Sequence, residues 1–266
     1  MAVKDMGASV LSRLKKQAKQ TKMNYQTCLQ LFVQEEFLRR LEVSGYVNNF
    51  VLKGGMFLYT ISKYEGRPTM DIDFMLKRIS NDIEELKEIV AKICEADTHN
   101  DYIEMKVTGA KNITPEKKYP GVSINMMAYI KNVRIPFSVD IGVDDVIIPG
   151  MVMRTVPTRL DGFKEPCVYT YSLESAMAEK FEAILKRMTA TSRMKDFYDI
   201  YYLSRTFDFD GAKLQAAIFE TLQRRGTPYD RDSFKRVVAL ADDEDMQKRW
   251  KFFLKTIKDN TLEFPF

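Results

Sequence analysis

Histidine is almost missing from this 266-residue sequence, in which His99 is the only one. Zinc-protease pairs, Ser-His-Asp triads and two-histidine iron sites are thereby excluded. His99 itself lies in the polar stretch Asp97-Thr98-His99-Asn100-Asp101-Tyr102 and reads as a solvated loop residue. Cysteine is scarce too. Cys28, Cys94 and Cys167 are scattered without a C-x-x-C spacing, which argues against a disulfide framework or structural zinc and fits a reducing cytosol. No uninterrupted apolar run approaches the roughly 18 residues of a membrane span. The first residues lack the apolar core of a signal peptide, so a cytoplasmic location is expected. Any catalysis must rest on carboxylates, lysines, backbone amides or a hard metal.

What is present is the composition of a globular chain, 45% hydrophobic and 29% charged, long enough to bury a substantial core. The net charge of +4 is uneven. Within residues 1–23, Lys4, Arg13, Lys15, Lys16, Lys19 and Lys22 are set against Asp5 alone. Such a segment is compatible with nucleic acid nearby, although a solvated helix face is the commoner meaning.

Apolar spacing predicts helices over 8–20 and 25–43, the second carrying Cys28, Leu31, Phe32, Phe37 and Leu38 on one side and a polar face opposite. Phe50-Val51-Leu52 is a short strand broken by Gly54-Gly55, and a helix begins near Met56. A second strand is expected from Asp71 to Leu76, then a helix over 81–95. Three strands follow at 102–108, 122–130 and 133–143, the last two joined by a hairpin at Lys131-Asn132. From Ser172, a plausible N-cap, the pattern is helical, with further helices near 194–204, 211–224, 230–240 and 244–258. The expected class is α+β: a sheet-bearing domain over 1–165, then a helical domain over 166–266.

The informative stretch runs from Phe50 to Leu76. A strand ends at a glycine pair, a helix follows, and the returning strand carries Asp71-Ile72-Asp73. Alternate strand positions share a face, so both carboxylates are expected to project together. Their repulsion is relieved by a divalent cation, and Mg²⁺ typically takes one or two carboxylates plus substrate phosphates. Asp140 interrupts the apolar set Phe137, Val139, Ile141 and Val143 and so points to the opposite face, as a third candidate ligand. The side-chain-free glycines let backbone N–H groups at a helix start approach phosphate oxygens closely.

Lys53-Gly54-Gly55 with Arg67-x-Thr69-x-Asp71-Ile72-Asp73-Phe74 resembles the AbiEii/AbiGii toxin family, which includes the MenT toxins. Asp140 in its strand, Ala178-Glu179-Lys180 in a helix, and Arg193-Met194-Lys195-Asp196-Phe197-Tyr198-Asp199-Ile200 are similar to the family's later motifs, in the same order. The resemblance implies a nucleotidyltransferase fold, with a mixed sheet, flanking helices and an all-helical C-terminal part. It implies a toxin of a toxin–antitoxin or phage-defence pair that uses Mg²⁺ and a nucleoside triphosphate. The implied reaction moves a nucleoside monophosphate to RNA, the tRNA 3′ end above all, and a cognate antitoxin is expected as partner.

Carried over position by position, the resemblance implies that Lys53, Gly54, Gly55, Arg67, Lys180 and Arg193 hold the nucleotide. It implies Asp71, Asp73 and Asp140 as metal ligands, and Asp71, Asp73, Lys180 and Asp196 as catalytic residues, with Lys195 and Asp199 in support. One position departs: Met56 stands where Ser or Thr commonly follows the glycine pair, and a thioether is a weak acceptor and no donor. Two alternatives stay open at this point. The acceptor is a protein or small-molecule hydroxyl, or the chain is a non-enzymatic nucleotide-binding regulator.

Overall fold

A computed structural model describes residues 5–63, 69, 71–113, 120–143, 145–257 and 266. The chain divides into two compact units, Met1–Asp144 with Val152–Thr170, and Asp145–Met151 with Tyr171–Phe266.

The first unit holds α1 (Met6–Thr21), α2 (Tyr25–Val43), α3 (Gly54–Ile61) and α4 (Ile83–Glu95). Its strands are β1 (Phe50–Lys53), β2 (Ile72–Leu76), β3 (Ile103–Ile113), β4 (Gly121–Ile130), β5 (Val133–Gly142), β6 (Val152–Thr155) and β7 (Cys167–Thr170). They form one mixed sheet in the order β3-β4-β5-β2-β1-β7-β6. The β2–β5 and β1–β7 pairs are parallel and the other neighbours antiparallel. The hairpin at Lys131-Asn132 pairs Ile130 with Val133, and Lys131 takes the left-handed φ of +55° that a tight turn demands. Helix starts follow capping chemistry: Asp5, Asn24 and Asp82 each accept a backbone N–H of the first turn.

Three features differ from the sequence expectation. Strands β6 and β7, four residues each, have no apolar signature of their own; they exist because β7 finds β1 and β6 then finds β7. The second strand begins at Ile72, leaving Asp71 just outside it. The largest correction concerns α2, whose polar face is not solvated. Gln34, Glu35, Glu36, Arg39 and Arg40 are all buried, because α1, α4, β5 and β7 pack around this helix. Burying such groups demands partners. Glu36 accepts from Arg39 Nε at 2.7 Å, Arg40 Nε at 3.2 Å, Thr98 at 2.5 Å and Asn100 at 2.8 Å. Arg40 in turn donates to the carbonyls of Cys94 and Ile103, tying α2 to the end of α4 and the start of β3. Phe37 meets Phe74 of β2 and Phe137 of β5 on the apolar side.

The second unit holds α5 (Leu173–Arg187), α6 (Met194–Thr206), α7 (Gly211–Arg224), α8 (Ser233–Ala239) and α9 (Glu244–Ile257). Ser172 caps α5 by accepting the Ser175 N–H at 3.0 Å. Its core gathers Ile184, Met194, Tyr198, Leu240, Met246 and Trp250. Arg225, the C-cap of α7, is held by Asp145 at 2.9 Å, Glu179 at 3.3 Å and Glu182 at 2.9 Å. No helix among the described residues is long and apolar enough to cross a membrane.

Candidate active site

β-Sheet register, rather than local spacing, builds the first unit's site. Lys53 is the cross-strand partner of Asp73, Asp73 of Asp140, and Asp140 of Ser123. Directly opposed residues share a face, so four polar side chains line one row across β1, β2, β5 and β4. The neighbouring positions Leu52, Ile72, Phe74, Val139, Ile141, Val122 and Ile124 are buried apolar residues on the other face. Asp73 and Asp140 are half-buried, and Asp71 is exposed at the mouth of β2. Ser123 donates to Asp140 Oδ1 at 2.6 Å and fixes that carboxylate. Among the described residues no three His, Cys, Asp or Glu side chains form a metal-holding group. The acids in register are therefore the pair Asp73 and Asp140.

The glycine pair closes against this row. Gly54 begins α3 with φ +66°, and a Cβ there would lie 2.2 Å from Asp73 Oδ2. A Cβ on Gly55 would lie 2.7 Å from the Thr69 hydroxyl. That hydroxyl and the Asp71 backbone are within 3.4 Å of one another. Both glycines are thus required by close approach, and Gly54 also by its backbone conformation. Gly54→Ala is expected to cost about 1–2 kcal/mol for the left-handed backbone alone, and to displace Asp73. Urea melts together with a nucleotide-binding titration check this; native-like values in both would contradict the packing described.

Met56 is fully buried, its side chain in the core of the unit. Met56→Ser is accordingly expected to lower stability by about 2–5 kcal/mol. It should not strengthen nucleotide binding, because the side chain at 56 is enclosed in the core with no exposed surface. Calorimetric titration of the variant against the native chain decides the point. Arg67 lies outside the described residues.

The remaining expected site residues gather in the second unit. Lys180, nine-tenths buried on α5, places Nζ 2.6 Å from Asp199 and 3.5 Å from Asp196. Arg193 Nε reaches Asp196 at 2.8 Å and remains partly open to solvent. Asp196 sits in the first turn of α6 but is engaged with these cations instead of capping the helix. Asp199 pairs with Lys180 across the two helices. The set is electrically balanced, two cations against two buried carboxylates. Cysteine chemistry is absent from both units' candidate sites. Burial raises the Cys28 and Cys94 thiols, Cys94 to about 12, which makes them unreactive.

Reasoning from sequence missed Ser123 and gave Thr69, a member of the quoted motif, no role in the site. The alternation Val122-Ser123-Ile124 did mark Ser123 as facing away from the apolar side, but only the β4–β5 register puts it against Asp140.

Residues 36–265 match the model of a family described as "Nucleotidyl transferase AbiEii toxin, Type IV TA system". The chain belongs to this family. It is a nucleotidyltransferase toxin, and membership brings with it a nucleoside triphosphate substrate and the expectation of a cognate antitoxin. Among solved structures the chain is similar to MenT4, a nucleotidyltransferase toxin from Mycobacterium tuberculosis. The two are 17% identical with a TM-score of 0.55 over 88% of this chain and 92% of that one. It is also similar to JHP933 from Helicobacter pylori, at 11% identity and a TM-score of 0.44 over 86% of this chain and 97% of the other. No curated protein matches the chain. The shared architecture with MenT4 establishes the nucleotidyltransferase fold.

Proposed function

We propose that this family member transfers a nucleoside monophosphate from a nucleoside triphosphate to RNA in a Mg²⁺-dependent reaction, with the tRNA 3′ end as acceptor. It would act in the cytoplasm, as the toxin of a toxin–antitoxin or phage-defence pair. What carries the reading is the in-register pair Asp73 and Asp140 beside the Gly54-Gly55 turn.

The donor set fits Mg²⁺: two hard carboxylates on adjacent strands, with Asp71 at the edge, leave coordination positions for phosphate oxygens and water. Bound there, the ion would supply electrophilic stabilisation of the phosphoryl charge. The chain's own groups account for the rest. The N–H groups at the start of α3 approach phosphate because Gly54 and Gly55 have no side chains in the way. Lys53, in the same row, adds positive charge to the triphosphate end, and Arg67 of the family motif is assigned alongside it. Ser123 holds Asp140 in one rotamer. In the second unit Arg193 and Lys180 are the cations assigned to the nucleotide, and Asp196, which they flank, is the assigned acid of the last motif.

The direct test incubates the protein with each of four labelled triphosphates, Mg²⁺ and total tRNA. Label on tRNA removed by 3′-end trimming is the expected result. Label on protein or on an added small-molecule hydroxyl, with unlabelled tRNA, would move the acceptor to another class. No label anywhere would leave the transfer reading without support.

A further inference from the structure

Among the described residues, one face of the β3-β4-β5 half of the sheet keeps much of its surface open. On it, exposed or half-exposed, stand Lys106, Asn125, Tyr129, Arg134 and Pro136, in line with the edge of the acid row. The register shows how the sequence achieves this. From Glu104 to Lys106, the even-numbered residues of β3 face this side, as partners of Tyr129 and Met127. Between Val107 and Gly109 the register shifts by one residue, a β-bulge at Thr108. Its hydroxyl donates to the Asn125 carbonyl at 3.1 Å. Beyond the bulge the odd-numbered residues take over, and Lys111 becomes the partner of Ser123. Without the extra residue Lys111 would point to the opposite face. A bulge that re-aims a side chain is a common device beside active sites.

Lys111 therefore extends the row Lys53-Asp73-Asp140-Ser123 to a fifth strand. It stands two strands beyond Asp140, about 10 Å away at the usual strand spacing. Further along the same face, Arg134 is the partner of Tyr129, and Lys106 Nζ lies 5.8 Å from the Tyr129 ring centre. Lys106 is paired with Glu104 at 2.6 Å, whereas Lys111 and Arg134 have no carboxylate within ion-pair distance among the described residues. Exposed, unneutralised cations around an aromatic ring on an open sheet suit a nucleic-acid strand: phosphates take the charges and a base takes the ring.

We infer that this face is the track along which a single-stranded RNA acceptor reaches the acid pair, with Lys111 and Arg134 on its phosphates and Tyr129 against a base. The inference rests on the RNA-acceptor reading above and adds the route. Continuity of the face with the catalytic row, and the Tyr129 ring set among the cations, favour RNA over an acidic protein as occupant.

The test measures binding of a fluorescein-labelled single-stranded oligoribonucleotide to the full chain by anisotropy over a salt series. It compares native protein, Lys111→Glu/Arg134→Glu and Lys111→Gln/Arg134→Gln. Both positions are exposed, and thermal melts confirm that the variants fold. Each variant should bind about tenfold more weakly, and the slope of log affinity against log salt should fall by about 1.4, two phosphate contacts at 0.7 each. Nucleotide binding should stay within about twofold of native. Variants that bind RNA like the native chain overturn the track alone. A native chain that binds no RNA overturns the track and the acceptor reading together. Displacement of the RNA by polyglutamate at equal charge concentration would mark a general polyanion patch, and also overturns the track.

Discussion

Asp73→Asn is expected to lower nucleotide transfer by at least about a thousandfold while leaving stability within about 1 kcal/mol of the native chain. The first figure follows from what the carboxylate does in the proposed site. A metal-held phosphoryl group gains several kcal/mol of charge stabilisation, and each 1.36 kcal/mol is a factor of ten in rate. Asparagine keeps the shape of the side chain, so the close approach of Gly54 to Asp73 Oδ2 is not disturbed. The second figure follows from charge and exposure. Asp73 is half-buried and lies between a like charge, Asp140, and an opposite one, Lys53. Neutralising it removes one repulsion and one attraction of similar range, both partly screened by solvent. The measurement pairs labelled transfer with a urea melt of the same preparation. A variant retaining a tenth of native transfer would show that the Asp73–Asp140 row does not hold the reacting phosphates.

Glu36→Ala should have the opposite signature, with stability lost first and activity only as a consequence. Glu36 is fully buried and is the shared acceptor of Arg39, Arg40, Thr98 and Asn100. Removing it leaves Arg40 without its counter-charge, leaves Arg39 with only the longer contact to Glu35 at 4.0 Å, and takes the acceptor from two polar side chains. Deleting one partner of such a buried set costs about 3–5 kcal/mol. For a chain of this size that corresponds to a fall of roughly 10 °C in melting temperature. The readout is far-UV circular dichroism, because the single tryptophan, Trp250, sits in the second unit's core and reports on that unit. A loss below about 1 kcal/mol would mean that solvent reaches this cluster and that α2 is less enclosed than described. Glu36→Gln, which keeps an acceptor oxygen in place, should recover part of the loss.

The two variants separate a site built for chemistry from a site built for folding, and the sequence exposed them unequally. Asp71 and Asp73 stood out because aspartates at alternate positions of an apolar strand are locally anomalous. Glu36, Arg39 and Arg40 did not, since charged residues on a helix read as a wet face unless something is known to cover it. The same limit hid β6 and β7. A four-residue strand at the edge of a sheet is specified by the strand it joins, and Cys167–Thr170 becomes one only beside β1.

Local order was therefore determined by the sequence alone: helix periods, capping residues, the hairpin at Lys131-Asn132, and the glycine pair leading to Asp73. These depend on interactions within one or two turns or strands, which spacing records directly. Tertiary structure decided the rest. It brought Asp140 level with Asp73 through a parallel pairing, set Ser123 against Asp140, re-phased Lys111 through the bulge in β3, and enclosed α2. Each of these is a register or a burial, fixed by which distant segment supplies the neighbouring hydrogen bonds and apolar surface, and residue spacing within a segment carries no record of that choice.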